Sequence, residues 1–337
     1  MESIGGARRS IHRSRRIDSV DGSHRGSVIG LVAFLLLSAG IAVMRSRTTA
    51  RAHAAVAARL TLRPDGIVVG AAPIDLVADG TAAVLMLHGF GDTPQTLEYL
   101  ARAVHAHGWT VRAPLLPGHG RTLDDFAASR AEDWIDCARA ELASLRSRYD
   151  TVSIVGLSMG GSLATILAAE LPDLAALVLL APYLSMPTRL RRAARFHHVL
   201  GVPLPYLRGG GGRSIRDPAE VARNLAYGFT TPRLVFELAR VVEQARKAAP
   251  RVSAPTLVVQ SRQDHRIPPD AAERAFALFT ASERELLWTE GNGHIISVDY
   301  GRDAIFAAVT TWLASHPTRA DAPRSPVSRI AERPRST

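Results

Sequence analysis

Between residues 80 and 316, short apolar runs alternate with stretches in which apolar residues recur every three or four positions. The first pattern is typical of buried strands and the second of helices with one apolar face. Strands are predicted at 83–87, 109–113, 151–157, 175–181, 255–261 and 284–289. Helices are predicted at 93–104, 131–148, 159–170, 269–279 and 302–315. Because strands and helices alternate, the fold class is α/β, with a doubly wound, mostly parallel sheet covered on both faces.

The alternation is interrupted after Pro182. We interpret residues 183–249 as a helical cap inserted over the carboxyl ends of the strands, where sheets of this kind bind ligands. The core domain then comprises residues 63–182 and 250–316.

An apolar segment precedes this domain. Residues 27–44 form an uncharged run of 18 residues, which as a helix would be about 27 Å long, against roughly 30 Å for the hydrocarbon layer of a bilayer. A signal anchor is the favoured interpretation; a cleaved signal peptide and a buried core helix are the alternatives. A miscalled start codon, with Met44 as the first residue, would remove the segment and leave a cytoplasmic protein.

The regions around the apolar run complete the domain plan. Residues 1–26 are a basic segment, and residues 45–62 are predicted to be a linker. Residues 317–337 are rich in Arg, Ser and Pro and are predicted to be a disordered tail. Since export of the six arginines that precede the run is unfavourable, we expect a single-pass protein with its folded domain outside the cytoplasm.

The net charge of +10 lies in the two ends of the chain, because residues 64–316 carry 25 basic and 26 acidic side chains. A nucleic-acid partner is therefore not expected. Cys137 is the only cysteine, which excludes an internal disulfide and a CxxC redox or zinc site.

A nucleophile motif stands at the end of the third predicted strand. Residues 156–160 read G-L-S-M-G and match G-x-S-x-G, between a β-branched strand and an alanine-rich helix. Such a strand–turn–helix elbow projects its serine from a tight turn, with a helix N-terminus behind it that favours developing negative charge. Ser158 is the predicted nucleophile.

A serine hydroxyl needs a base, and the base needs an orienting carboxylate. In elbow enzymes the acid and then the histidine follow the serine along the chain. Asp264 follows the strand 255–261, and His294 follows the strand 284–289, so both belong to the carboxyl edge of the sheet. His265 is a rival base, and a helix-capping role is the alternative for Asp264.

An oxyanion requires two donors. The backbone N–H of Met159, directly after the nucleophile, and that of Phe90, in the loop after the strand 83–87, are the predicted pair. The neighbouring His88 is expected to be structural. No metal ligands and no cofactor motif are recognisable in the sequence, and neither a metal nor a cofactor is expected.

Five motifs together resemble a known family, and their order and spacing extend over residues 80–316. They are His88-Gly89-Phe90, Pro117-Gly118-His119-Gly120, Gly156 to Gly161, Asp264-His265 and Gly293-His294. The chain resembles the bacterial carboxylesterase and monoacylglycerol lipase group of the α/β-hydrolase superfamily. The resemblance implies a Ser-Asp-His ester hydrolase without a cofactor and with a small helical cap, and it places Phe90 and Met159 on the oxyanion positions.

The expected activity is hydrolysis of a small-molecule or lipid carboxylic ester through a serine acyl-enzyme. A thioesterase or a C–C bond hydrolase with the same triad is the alternative, and an inactive binding module is a third. The sequence leaves the acyl chain, the alcohol and the oligomeric state open.

The cap carries a basic and apolar stretch at residues 183–208. One interpretation is a solvated basic face. The other is that Arg189, Arg191, Arg192 and Arg195 face anionic lipid, while the apolar side covers an acyl-chain site and Gly209–Gly212 form a hinge.

Overall fold

The computed structural model describes residues 21–209 and 214–316, and of residues 21–26 it describes the backbone. Seven strands within these ranges form one sheet: β1 Ile74–Leu76, β2 Ala82–Leu87, β3 Thr110–Ala113, β4 Thr151–Leu157, β5 Leu177–Leu180, β8 Thr256–Ser261 and β9 Arg284–Thr289. Their order across the sheet is β1-β3-β2-β4-β5-β8-β9. All neighbours pair in parallel except β1, which is antiparallel to β3.

Helices cover both faces of the sheet. One buried cluster includes Trp134, Leu163 and Leu234 from three helices on one face, and the other includes Leu100 and Val309 on the opposite face. The core helices are α2 Glu98–Ala106, α3 Leu123–Ala128, α4 Ala131–Arg146, α5 Met159–Ala168, α10 Pro269–Phe276 and α11 Arg302–Ser315, and a 3₁₀ turn, Pro94–Leu97, leads into α2. The predicted doubly wound, mostly parallel α/β architecture is confirmed.

The strand β1 was not predicted. It has three residues, too few for a recognisable hydrophobic period, and it adds to the sheet edge by pairing Ile74 with Ala113. Its place in the fold depends on the neighbouring strand more than on its own sequence.

The N-terminal helix α1 extends from Asp21 to Ala57. The prediction of a linker at 45–62 is therefore wrong for most of its length. Alanine and arginine, which are abundant there, are strong helix formers, and Ala52, Val56 and Leu60 lie four residues apart and join the core cluster. The apolar pattern was missed because small alanines occupy much of this stretch.

One helix in the described chain, Ser27–Ala57, is long and apolar enough to cross a membrane, and its most apolar part has no buried residue. The buried core helix, one of the three interpretations, is thus excluded for this part. A membrane anchor and a signal sequence both fit. The predicted basic segment lies mostly, and the predicted disordered tail entirely, outside the described residues.

The cap comprises α6 Thr188–Arg195, α7 His197–Leu200, α8 Pro218–Arg223, α9 Pro232–Ala248, and a short antiparallel pair of β6 Leu207–Arg208 with β7 Phe229–Thr230. Its longest helix, α9, begins at the capping residue Thr231 and packs its apolar face against the core. Of the proposed glycine hinge only Gly209 is described, and its N–H donates to the Gly228 carbonyl at 2.8 Å; residues 210–212 lie outside the described ranges.

Candidate active site

The elbow between β4 and α5 places Ser158 at φ 53° and ψ −114°, a region that non-glycine residues rarely occupy. Its glycines are required by close packing. A Cβ at residue 156 would lie 2.3 Å from the Gly160 carbonyl oxygen, and a Cβ at residue 160 would lie 1.9 Å from the Leu87 carbonyl oxygen. The sharp turn therefore requires glycine at both positions, because the backbone of residue 156 packs against that of 160, and the backbone of 160 against that of Leu87.

Three side chains from different loops meet at this turn. His294 Nε2 lies 2.8 Å from Ser158 Oγ, and His294 Nδ1 lies 2.7 Å from Asp264 Oδ2. All three side chains are buried. The structure thus joins the three predicted triad residues in one chain of hydrogen bonds, whereas the rival His265 is exposed.

Asp264 is held by several donors besides His294. Its Oδ1 accepts from the N–H groups of Arg266 and Ile267 at 2.7 and 3.1 Å, and its Oδ2 accepts from Gln260 Nε2 at 2.9 Å. Burial raises the pKa of this carboxyl, but the bonds and charge of His294 and the two backbone donors outweigh burial and keep it below the usual value. An ionised carboxylate therefore faces His294, which orients the ring with Nδ1 protonated and Nε2 free to accept.

The loop after β2 runs beside the nucleophile, since a Cβ at Gly89 would lie 3.5 Å from Ser158 Cβ. It contains Phe90, whose ring packs among Phe126 and Trp134 with centroid distances of 5.2 and 5.9 Å. Met159 is the first residue of α5, where helical N–H groups have no acceptor in their own helix. Phe90 therefore belongs to a loop packed beside Ser158, and Met159 directly follows Ser158 at the start of α5; the two N–H groups stay the predicted oxyanion donors.

His88 connects this loop to the chain after β3. Its Nε2 accepts from the Leu116 N–H at 3.1 Å, so Nδ1 carries the proton that is donated to the Gly89 carbonyl at 3.0 Å. Burial lowers the pKa of His88 to about 4, although the bond to Gly89 opposes this. A neutral ring with both nitrogens occupied is suited to holding the loop.

Similarity to known proteins agrees with this geometry. The family model Hydrolase_4, described as serine aminopeptidase S33, matches residues 78–300. The chain belongs to this family.

Individual relatives are named for ester hydrolysis. The chain is 29% identical to the thermostable monoacylglycerol lipase of Bacillus sp. (strain H-257) over 250 residues, which are 74% of this chain and 97% of that one. It is 27% identical to a carboxylesterase of Bacillus subtilis (strain 168) over 69% of this chain and 93% of the relative.

The chain also resembles a solved structure from work on LipS and LipT, two metagenome-derived lipolytic enzymes. The two superpose with a TM-score of 0.68 and are 31% identical, over 76% of this chain and 100% of that one. The α/β-hydrolase assignment is confirmed. So is the predicted class of enzyme, a serine hydrolase acting on carboxylic esters.

Two buried carboxylates of this hydrolase were missed in the sequence. Asp299 accepts four backbone N–H bonds of 2.7 to 2.9 Å, from Gly293, Arg216, Asp217 and Tyr300. It thereby links the His294 loop to the segment of the cap that leads into α8. The sequence shows only an acid five positions after His294, which no pattern distinguishes from a surface residue.

The second is Asp92, in the loop that contains Phe90. Burial raises the pKa of Asp92 to about 7, although its bond from the Thr93 N–H and the positive charge of Arg266 lower it. An acid that is half protonated near neutral pH thus lies three residues from Gly89.

Within residues 27–209 and 214–316, no cluster of three or more His, Cys, Asp or Glu side chains is arranged to hold a metal ion.

Proposed function

We propose that this hydrolase cleaves single-chain carboxylic esters, monoacylglycerols among them, through an acyl-enzyme on Ser158. The observation that carries the proposal is the continuous hydrogen-bonded chain from Ser158 Oγ through His294 to Asp264. The names of the two Bacillus relatives, a monoacylglycerol lipase and a carboxylesterase, support the substrate class.

In the first half-reaction His294 Nε2 accepts the Ser158 proton while Oγ attacks the ester carbonyl carbon. Asp264 stabilises the imidazolium that forms, without taking the proton. The N–H groups of Met159 and Phe90 donate to the oxyanion of the tetrahedral intermediate. Its collapse breaks the C–O bond, and His294 returns the proton to the leaving alcohol.

In the second half-reaction water attacks the acyl-enzyme. His294 accepts the water proton, a second tetrahedral intermediate forms at the same donors, and its collapse releases the carboxylic acid and restores the Ser158 hydroxyl. Each residue therefore serves twice, and no cofactor takes part.

Active-site labelling and a substrate panel test the proposal. A fluorophosphonate should label the wild type and fail to label Ser158→Ala. Turnover should be fastest with monoacylglycerols and p-nitrophenyl esters of the panel, and slower with acyl thioesters and aminoacyl anilides. Faster hydrolysis of thioesters or anilides would show that these compounds, and not carboxylic esters, are the preferred substrates. Absence of labelling would indicate an inactive binding module.

We also propose that residues 27–44 anchor the enzyme as a single-pass protein with its catalytic domain outside the cytoplasm. The exposed apolar helix and the six arginines that precede it support this orientation. Full-length protein should sediment with membranes and be released by detergent. A soluble protein that retains residues 1–44, or a mature chain without them, would overturn the anchor.

A further inference from the structure

A segment of the cap exposes large apolar side chains to the surroundings. In residues 196–204, here called the cap tip, Phe196 is 64% exposed, Val199 69% and Val202 51%, and Leu200 and Leu204 are also exposed. A cluster of apolar side chains on a protein surface that would otherwise face water indicates contact with a partner or a membrane.

The cap tip lies at the end of the apolar part of α1. Arg45 Nη1 donates to the carbonyls of Gly201 and Val202 at 2.9 and 3.2 Å. Arg45 directly follows Met44, the last residue of the apolar run, and one helical residue advances only about 1.5 Å. The cap tip therefore lies at the same height along the axis of α1 as the end of the apolar run.

Further contacts keep α1 and the cap in this arrangement. Arg59, two residues after the end of α1, donates to the carbonyls of Ala226 and Asn224. On α1 itself, the ring of His53 packs edge to face against that of Tyr206, with centroids 5.4 Å apart. Ala52 and Val56 are buried in the core. Because α1 is held along three turns, a membrane that surrounds residues 27–44 also reaches the cap tip.

The charges beside the tip indicate the kind of membrane surface. The four arginines of α6 are exposed. Arg189 and Arg192, three residues apart, lie on one side of α6, and Phe196 directly follows the last residue of this helix. Cations beside apolar side chains match the interfacial layer of an anionic bilayer.

We propose that the cap tip is a second membrane-contact site, inserted into the interfacial layer of the leaflet that α1 enters, with anionic phospholipid as its partner. The proposal rests on the membrane location proposed above. It places the cap of the enzyme against the bilayer, where a single-chain lipid ester reaches the enzyme without crossing bulk water.

Site-directed spin labelling of the full chain in vesicles tests the insertion. The vesicles contain equal parts of phosphatidylcholine and phosphatidylglycerol, and all variants carry Cys137→Ser to remove the native thiol. Nitroxides are attached to Val199→Cys, to Leu35→Cys in the apolar run, and to Val77→Cys as the matched control. Val77 is also a valine and is 68% exposed. It follows Leu76, which pairs with Val111 near the amino end of β3, so it lies at the end of the sheet opposite the cap.

The readout is the ratio of collisions with oxygen, which concentrates in bilayers, to collisions with a water-soluble nickel chelate. We expect a high ratio at Leu35 and Val199 and a low ratio at Val77. A high ratio at Leu35 with an aqueous ratio at Val199 would overturn the cap-tip site and leave the anchor intact. An aqueous ratio at Leu35 would overturn both, and protection of Val199 from both reagents would identify a second protein copy as the occupant.

An activity measurement separates membrane contact from a folding defect. Val199→Ser with Phe196→Ser should hydrolyse a soluble p-nitrophenyl ester at the wild-type rate and a vesicle-embedded monoacylglycerol several-fold more slowly. Equal rates on both substrates would contradict a role for the tip in reaching membrane esters.

Discussion

The elbow around Ser158 and the cap tip at 196–204 are built in opposite ways. Every residue of α5 is buried, and the glycines of the elbow have no space for a Cβ. The cap tip exposes most of its apolar side chains and is attached to α1 by side-chain bonds to its backbone carbonyls. The chemistry therefore depends on backbone packing that few sequences permit, whereas the proposed membrane contact depends on surface composition that many sequences could supply.

The largest effect is expected where this packing is tightest. Gly160→Ala should prevent folding, because its Cβ would lie 1.9 Å from the Leu87 carbonyl oxygen and overpacking against backbone destabilises by about 3 kcal/mol or more. Yield of folded protein and fluorophosphonate labelling are the measurements. Gly40→Ala, in a helix with open space around residue 40, is the control and should behave as wild type. A folded, labelled Gly160→Ala enzyme would show that the backbone at the elbow can move to accommodate a Cβ.

The next effect concerns chemistry in a folded protein. His294→Ala should lower kcat by about 10³-fold or more, as removal of other triad members does, because Ser158 then has no base. His265→Ala should cost far less, since that side chain is exposed. Steady-state rates and a thermal melt of both variants are required. An inactive, folded His265→Ala enzyme would reverse the assignment of the base.

A moderate effect should appear in the pH dependence of stability. The pKa of Asp92 is raised from its ordinary 3.8 to about 7, so between these values the folded state keeps a proton that the unfolded state has lost. The free energy of unfolding must then fall as pH rises through this window and level off above it.

Asp92→Asn keeps an oxygen for the Thr93 N–H and removes the ionisation. Urea unfolding at several pH values should show less decline for this variant than for wild type, while the exposed-site control Asp79→Asn should follow wild type. Parallel curves for Asp92→Asn and wild type would mean that the loop accommodates the charge.

The smallest effect is expected at the cap. Arg45→Ala removes two exposed hydrogen bonds, worth about 1 kcal/mol together, and should lower turnover of vesicle-embedded esters by a few-fold while leaving soluble esters unaffected. Arg47→Ala, exposed on the same helix, is the matched control. A loss on both substrates would indicate that Arg45 supports the core and not only the cap.

Local sequence patterns were sufficient for much of the core. The predicted bounds of β4, β9 and α11 agree with the structure. For β4 the reason is that a β-branched run reflects the burial of that segment alone. The catalytic residues were proposed from the elbow motif and from loops that follow strands, since parallel strands bring their carboxyl ends to one edge.

Other features depended on distant parts of the chain. The helix over 45–57 was taken for a linker because it is rich in alanine and buries few side chains, Ala52 and Val56 among them, and its packing partners lie far along the sequence. Asp299 and Asp92 were missed because a carboxylate becomes structural or protonated only through the burial and donors that surround it.

The order of strands and helices, the elbow and the three candidate catalytic side chains followed from the sequence, because each is encoded in a short stretch or in its position after a strand. The tertiary structure decided that His294, and not His265, lies between Ser158 and Asp264. It also decided that α1 holds the cap tip at the end of its apolar run. Ser158 and His294 are more than a hundred positions apart in the sequence, and so are Arg45 and the cap tip. The distances between such residues are set by the packing of the whole domain.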